Sequence, residues 1–285
     1  MYFSVLRYSI LLILFLFRIY EFYGQQVKSY KYHFADSTEK MQVLKSDDEL
    51  VIYYKINEFH LHSVSTSEGD FYRLSIPGHN FTSETGKPEL PVFSTLISLS
   101  GDKIPEIKIT DIKTRTVYPA RNSFKGKVFP HQADQPKSSD NQQKAFLIDK
   151  EIYGKKGFID SDTAIIEYLG KTRNTNLANL MIYPVRYDPY NNKLEVITSM
   201  KIIISIGKGG TINAGSEPLP FIQSLSKGVL NYSSEDLITG YSEEPVKMII
   251  LTDTTFRKTL SPYIKWKTQK GFRITTLYRG QGLAG

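Results

Sequence analysis

The chain has 285 residues, of which 36 are basic and 29 acidic, so its formal net charge is +7. The basic residues are interleaved with acidic ones, which argues against a nucleic-acid-binding tail, because such tails carry blocks of like charge. There is no cysteine, which excludes disulfides, thiolate metal sites and a cysteine nucleophile within the chain, as well as a bacterial lipoprotein anchor. Aromatic residues make up 13% of the chain, a proportion that favours strands.

The N-terminus has the pattern of a secretory signal peptide. Arg7 precedes an apolar run from Tyr8 to Phe17, and Gly24 is the small residue near a cleavage point. The run is shorter than the about 20 residues that a membrane-spanning helix needs. We therefore predict a signal peptide over residues 1–24, secretion of the remainder to the cell surface or the medium, and no stable membrane span after cleavage. An uncleaved anchor is the alternative.

Short strand-like segments follow the signal. They are either rich in β-formers or alternate apolar and polar residues, as half-buried strands do: Leu50–Tyr54, Phe71–Ile76, Leu90–Leu99, Ile107–Tyr118 and Ala164–Tyr168. The alternation changes phase near Ile112, which predicts a β-bulge. Many short strands at this spacing predict a mainly β, sandwich-like or barrel-like body.

A hairpin and a short helix are predicted further along the chain. The hairpin joins Leu180–Tyr183 to Leu194–Ile206, and its turn lies at Asp188–Asn192, since asparagine tolerates positive φ. The helix covers Pro220–Lys227.

Three polar segments interrupt these elements. His131–Lys144 is rich in Gln, Asp, Ser and Asn and predicts a long exposed loop. Gly207–Pro218 is glycine-rich, and Ser233–Pro245 is polar and acidic. Both compositions predict linkers. Exposed polar tips are preferred sites of proteolysis. Lys208 and Lys227 are therefore hypothetical cleavage points for a basic-specific peptidase.

The last forty residues change in character. Val246–Leu251 is an apolar strand apart from Lys247, and Phe272–Leu277 is a second strand. Between them, Thr252 or Asp253 can cap a helix whose apolar stripe includes Trp266, which we expect to pack the helix on the sheet. This is a β-α-β unit, and an α/β domain contains several such units. We therefore expect the unit to be the incomplete start of a larger α/β domain.

Few side chains suggest a catalytic or metal site. His60 and His62 share one face if their segment is a strand, and Glu58 lies on the same face. A metal site needs three or four ligands, and nothing obvious completes this set. The glycines around Lys208 lack the spacing of a phosphate-binding loop. We predict no catalytic, cofactor-binding or metal-ligating residue and no cofactor, although serine and lysine dyads stay open.

Several motifs, in order along the chain, resemble the precursors of gingipain-type (C25) cysteine peptidases. The resemblance covers about Leu50 to Leu277 and rests on six segments: Gly86–Val92, Tyr168–Arg173, Ile182–Pro189, Val229–Asn231, Pro245–Thr252 and Tyr263–Phe272. The first four are similar to the pro-domain of that family. The last two are similar to the opening strand and helix of its peptidase domain.

The resemblance implies a precursor with a pro-domain over residues 25–236, a linker over 237–245 and the incomplete start of a caspase-like peptidase domain over 246–285. The family's Cys–His dyad lies downstream of that first unit, so this chain cannot be active alone. The implied partners are the cognate peptidase domain, which the pro-domain helps to fold and keeps latent, and the bacterial secretion machinery. On this reading, Gly86, Pro88 and Pro91 either stiffen a strand start or shape the surface that faces the peptidase.

Two other functions are compatible with the residues. One is an exported, non-enzymatic β-sandwich module for binding or adhesion, although such a module has no reason to carry a β-α-β unit. The other is a stand-alone pro-domain that acts as an inhibitor in trans. Asn80 and Asn231 match the N-glycosylation pattern, which means little if the source is bacterial, as the resemblance implies.

Overall fold

The computed structural model describes residues 28–34, 41–46, 48–134, 145–172, 175–206, 219–232 and 244–279. The predicted signal peptide, the glycine-rich segment with Lys208 and most of the predicted linker lie outside these residues. Within them, no helix is long and apolar enough to cross a membrane.

The described residues form fifteen strands and three α-helices. In chain order these are β1 (Ser29–His33), β2 (Gln42–Lys45), β3 (Glu49–Lys55), β4 (Glu58–Thr66), β5 (Gly69–Ser75), β6 (Asn80–Phe81), β7 (Pro91–Leu99), β8 (Ile107–Val117), β9 (Lys127–Val128), α1 (Lys150–Gly154), β10 (Ala164–Thr172), β11 (Thr175–Ile182), β12 (Val185–Asp188), β13 (Lys193–Ser205), α2 (Leu219–Gly228), β14 (Lys247–Thr252), α3 (Arg257–Gln269) and β15 (Arg273–Tyr278).

Three mostly antiparallel sheets share one apolar core. Their strand orders are β1-β4-β5-β9, β10-β11-β7-β6 and β12-β13-β3-β2, and β8 also pairs with β13. Fully buried side chains from all three sheets belong to one cluster, among them Phe59, Leu61, Ile97, Leu180, Ile52 and Ile202. Burying one such side chain contributes about 1.5–3 kcal/mol. The predicted mainly β, sandwich-like body is confirmed.

The β-bulge predicted near Ile112 is present. Asp111 has φ 54°, and the pairing of β8 with β13 shifts register between Thr110 and Lys113. A second shift leaves Thr198 as the extra residue on β13, where its hydroxyl donates to the carbonyl oxygen of Lys113 at 3.2 Å. The two offsets cancel, so the pairing register of β8 with β13 is the same on both sides of the irregularity.

The predicted hairpin has the wrong first strand. Leu180–Ile182 is the end of β11, which pairs with β10 and β7 in the second sheet. The hairpin partner of β13 is β12, which starts after Pro184. Proline has no N–H for a ladder hydrogen bond, so Pro184 marks the passage from one sheet to the next. The turn itself is as predicted, because Asn192 has φ 46°.

The predicted β-α-β unit is also present. Strands β14 and β15 are parallel, and the helix α3 between them follows a 3-10 turn that Asp253 caps by accepting from the Thr255 N–H at 2.9 Å. The expectation for Trp266 is wrong, because its side chain is 49% exposed and its ring lies beside Tyr263 and Lys267 of the same helix. Ile249 and Leu251 of β14 are 69% and 80% exposed.

Candidate functional site

The histidine pair lies on one face of β4, as the alternation predicts. The ring centroids of His60 and His62 are 5.9 Å apart. The two ring nitrogens of His62 lie 3.2 Å from the Ser29 hydroxyl and 3.1 Å from the Ser75 hydroxyl. Glu58 lies 3.3 Å from His60 and also pairs with Lys31, and the hydrogen bond from Lys31 lowers the pKa of Glu58. Among the described residues, no three His, Cys, Asp or Glu side chains are grouped so as to hold a metal ion.

A more distinctive feature is the support beneath the predicted loop at His131–Lys144. Its described ends, residues 131–134 and 145–149, contain no helix or strand, and residues 135–144 lie outside the described ranges. Three segments come together there: Gly86–Glu89, Phe129–Gln132 and Phe146–Asp149. We call them the loop base.

The side-chain amide of Gln132 forms a pair of hydrogen bonds with the backbone of Leu147, as a residue of a neighbouring β-strand would. Its side-chain amide donates to the carbonyl oxygen of Leu147 at 2.9 Å and accepts from the Leu147 N–H at 2.9 Å. The same amide donates to the carbonyl oxygen of Pro130 at 3.0 Å. One side chain therefore joins the two described segments that flank residues 135–144.

Gly86 connects both ends of the loop to the rest of the body. Its N–H donates to the carbonyl oxygen of His131 at 2.8 Å, and its own carbonyl accepts from the Asp149 N–H at 2.9 Å. Gly86 has φ +83°, and an added Cβ would lie 3.3 Å from the Asp149 nitrogen. Glycine suits this position because positive φ strains other residues.

At the loop base, Glu89 forms a salt bridge with Arg73 and a hydrogen bond with His131. Glu89 is 12% exposed at its side chain and lies 3.1 Å from both Arg73 Nε and His131 Nδ1. The Arg73 guanidinium stacks 4.1 Å from the centre of the Phe129 ring, a favourable cation–π arrangement. Phe71, Phe129 and Phe146 contact one another with ring centroids 5.5–5.9 Å apart. These contacts fix the loop base to β5 of the first sheet.

The two asparagines with the glycosylation pattern differ in environment. Asn80 is exposed on β6, whereas Asn231 is 3% exposed and its amide is bonded to the backbone of Ser98. A buried amide cannot accept a glycan. Lys227, one of the two hypothetical cleavage points, lies in the last turn of α2.

The sequence indicated only part of the loop base. The polar composition of residues 131–144 and the glycine and prolines of Gly86–Val92 marked its two main segments. Arg73, Glu89 and Gln132 were missed, because nothing in the local sequence shows that residues so far apart in the chain become neighbours.

Residues 32–238 match the model of the C25 propeptide family. Among curated proteins, Lys-gingipain of Porphyromonas gingivalis is 30% identical over 241 residues, which cover 81% of this chain and 14% of the relative. Lys-gingipain HG66 of the same species gives the same identity and coverage. The chain thus spans 14% of the length of these relatives.

Two solved structures share the fold. One, described as an insight into the zymogenic latency of gingipain K from P. gingivalis, is 28% identical with a TM-score of 0.58 and covers 64% of this chain and 100% of its own. The other is a complex of the pro- and mature domains of P. gingivalis RgpB, with a TM-score of 0.53, 16% identity and coverage of 68% of this chain and 98% of its own. At that identity the second match is a likeness in fold alone.

Proposed function

Since this chain belongs to the propeptide family of the C25 peptidases, we propose that its residues 25–236 are a pro-domain that helps a gingipain-type cysteine peptidase domain to fold and keeps it latent. Residues 1–24 direct export, residues 237–245 are the linker, and residues 246–285 begin the peptidase domain. The solved structure of gingipain K, which concerns its zymogenic latency, supports latency as the role.

The observation that carries the proposal is the loop base. A latency segment has to occupy a peptidase cleft without being released as a product, so both of its ends need to be held. Gln132, Gly86 and the Glu89 network hold the two ends of residues 133–146 in this way. A loop whose ends are fixed loses less conformational entropy on binding than a free peptide does. We propose that the pro-domain covers the active site of the peptidase through the surface at this loop base.

The C-terminal unit supports a peptidase domain as the partner in cis. Strand β14 leaves Ile249 and Leu251 mostly exposed, and the described part of α3 contains no buried residue. Parallel strands are normally covered by helices on both faces. We propose that the remainder of an α/β peptidase domain, with its Cys–His dyad, is encoded after Gly285 and covers this unit.

Inhibition of the mature peptidase encoded by the same gene tests the proposal. The purified 285-residue chain should inhibit peptide hydrolysis in a saturable manner. Gln132→Ala should raise the inhibition constant about tenfold, because it removes the hydrogen bonds between Gln132 and Leu147. Asn80→Ala changes an exposed asparagine that is not one of the loop-base residues; it is the matched control and should inhibit like the wild type.

Two results would count against the proposal. Absence of inhibition by the wild-type chain would reject latency. Equal inhibition by the Gln132→Ala variant and the wild type would reject the loop base as the inhibitory element.

Export is the second part of the proposal. We expect the bacterial secretion machinery to recognise residues 1–24 and the exported protein to begin near Gln25. N-terminal sequencing of protein from the medium and cell surface checks this. A mature protein that still begins at Met1 would instead indicate an uncleaved anchor.

A further inference from the structure

The junction between the β-sheet body and the β-α-β unit lacks basic residues. No lysine or arginine occurs from Gly228 to Val246, so Lys227 and Lys247 are the nearest basic positions on either side. A peptidase that cleaves after basic residues can therefore separate the two parts only at one of these flanking lysines, or further away.

Lys227 has an exposed side chain, but its backbone neighbourhood is fixed. It lies in the last turn of α2. Just after it, the Val229 N–H donates to the carbonyl oxygen of Leu225 at 2.9 Å, and the Leu230 N–H donates to the carbonyl oxygen of Leu96 in β7 at 2.8 Å. The chain after Lys227 thus continues directly into a β-bridge with the second sheet.

Asn231 binds the segment after α2 to β7 through its side-chain amide. Its amide nitrogen donates to the carbonyl oxygen of Ser98 at 3.0 Å, and its amide oxygen accepts from the Ser98 N–H at 2.8 Å. Its neighbours Val229 and Tyr232 are 4% and 5% exposed and belong to one apolar cluster with Ile222 of α2. Cleavage requires an extended backbone, so a cut after Lys227 needs this whole segment to open first.

The other two lysines do not provide a release point. Lys247 is the first residue of β14, and the carbonyl oxygen of the preceding Val246 accepts from the Arg273 N–H at 2.9 Å. Lys208 precedes α2 in the chain. A cut there leaves the apolar cluster of α2 packed against Leu96 and Leu177 of the second sheet, so the downstream part stays bound.

We infer that Asn231 shields Lys227 from basic-specific peptidases, and that separation of the two parts requires a peptidase that cleaves after a non-basic residue. This inference rests on the proposed function for its biological meaning, because it makes release of the pro-domain depend on a second peptidase specificity.

Limited proteolysis of the whole chain with trypsin tests the inference, with cleavage sites followed by mass spectrometry. Lys103 lies in the exposed turn between β7 and β8, so the rate of cleavage after it measures how fast trypsin cuts an accessible site. Lys201 lies in the middle of β13, so the rate of cleavage after it measures global unfolding. In the wild type, cleavage after Lys103 should precede cleavage after Lys227 and Lys247, and the stretch between these two lysines should stay intact.

The matched variants are Asn231→Ala and Asn80→Ala. Asn231→Ala should raise the rate of cleavage after Lys227 about tenfold relative to Lys103, because cleavage of a transiently opened segment follows the population of the open form. Cleavage after Lys201 should not change. Asn80→Ala should leave all three rates unchanged.

Cleavage of the wild type after Lys227 as fast as after Lys103 would overturn the inference. So would an Asn231→Ala variant whose cleavage pattern matches that of Asn80→Ala, or one whose rate rises equally at Lys201. Because trypsin is the only peptidase in the assay, the result is independent of the inhibition experiment, and a failure of either proposal can be recognised separately.

Discussion

Tyr54 and His79 form a polar contact at the edge of the core. Burial lowers the pKa of His79 below its usual value and raises the pKa of Tyr54. The neutral His79 ring donates from Nδ1 to the carbonyl oxygen of Pro77 at 3.1 Å, and its Nε2 accepts from the Tyr54 hydroxyl. The folded state therefore favours the uncharged ring.

This contact predicts a pH dependence of stability. Because the folded-state pKa of His79 is lowered, the unfolded chain binds its proton first, and the free energy of unfolding should fall as the pH drops from about 6.5 towards the folded-state pKa. His79→Gln should make this slope shallower in urea titrations between pH 7.5 and 5. Since burial lowers the pKa of His62 too, the variant should keep part of the slope, and an unchanged slope would contradict the prediction.

Glu89 is the charged residue on which the loop base depends most. It is nearly buried and pairs with both Arg73 and His131. Glu89→Ala should lower the free energy of unfolding by about 2 kcal/mol, because Arg73 and His131 lose the nearly buried carboxylate that accepts their hydrogen bonds. Glu84→Ala removes a carboxylate that is 68% exposed and pairs only across the surface with Lys87, so it should change stability little. Equal urea midpoints for the two variants would contradict the role of Glu89.

At the scale of elements, Gly126 sets the pairing of β9 with β5. It has φ +79°, and an added Cβ would lie 1.6 Å from the carbonyl oxygen of Asp70. Gly126→Ala should destabilise the fold by at least about 3 kcal/mol, because both the backbone angle and the close approach forbid a side chain. Gly101→Ala is the control, since its Cβ would meet no atom within 4 Å. Denaturant unfolding of soluble protein measures both, and similar stabilities would refute the close contact.

Some elements could be predicted from the sequence because the local pattern decided them. Strand β3 follows its β-branched and aromatic run, and the bulge in β8 follows the phase change near Ile112. The hairpin could not be assigned in this way. Leu180–Ile182 and Val185–Asp188 are two strand segments that both precede the same turn, and the packing of three sheets decides which of them pairs with β13. Pro184 was the local signal that separates the two.

The candidate site was less predictable than the fold. Gly86 and the loop at His131–Lys144 were visible as sequence features, since glycine, proline and polar residues mark irregular backbone. Gln132 and Glu89 act through partners such as Leu147 and Arg73, and that pairing depends on the tertiary fold. The packing of Trp266 was mispredicted because an apolar helical stripe indicates a covered face but does not say which element covers it.

At the scale of the whole molecule, the β-sheet body and the β-α-β unit differ in how well they are covered. Leu251 is 80% exposed, and exposed apolar strands promote aggregation. Leu251→Lys should raise the soluble concentration of the 285-residue chain, measured by light scattering. Leu44→Lys, at a side chain 57% exposed on β2, should have a smaller effect. If the two variants aggregate to the same extent, the exposed apolar residues of the β-α-β unit are not the main cause of aggregation.

This chain belongs to the C25 propeptide family, and we propose that it also carries the opening unit of the peptidase domain of such a precursor. Sequencing the coding DNA past the Gly285 codon is the decisive measurement. We expect the frame to stay open and to encode further β-α units with a cysteine and a histidine. A stop codon after Gly285, or a following domain without that pair, would contradict the claim and would leave a non-catalytic exported protein.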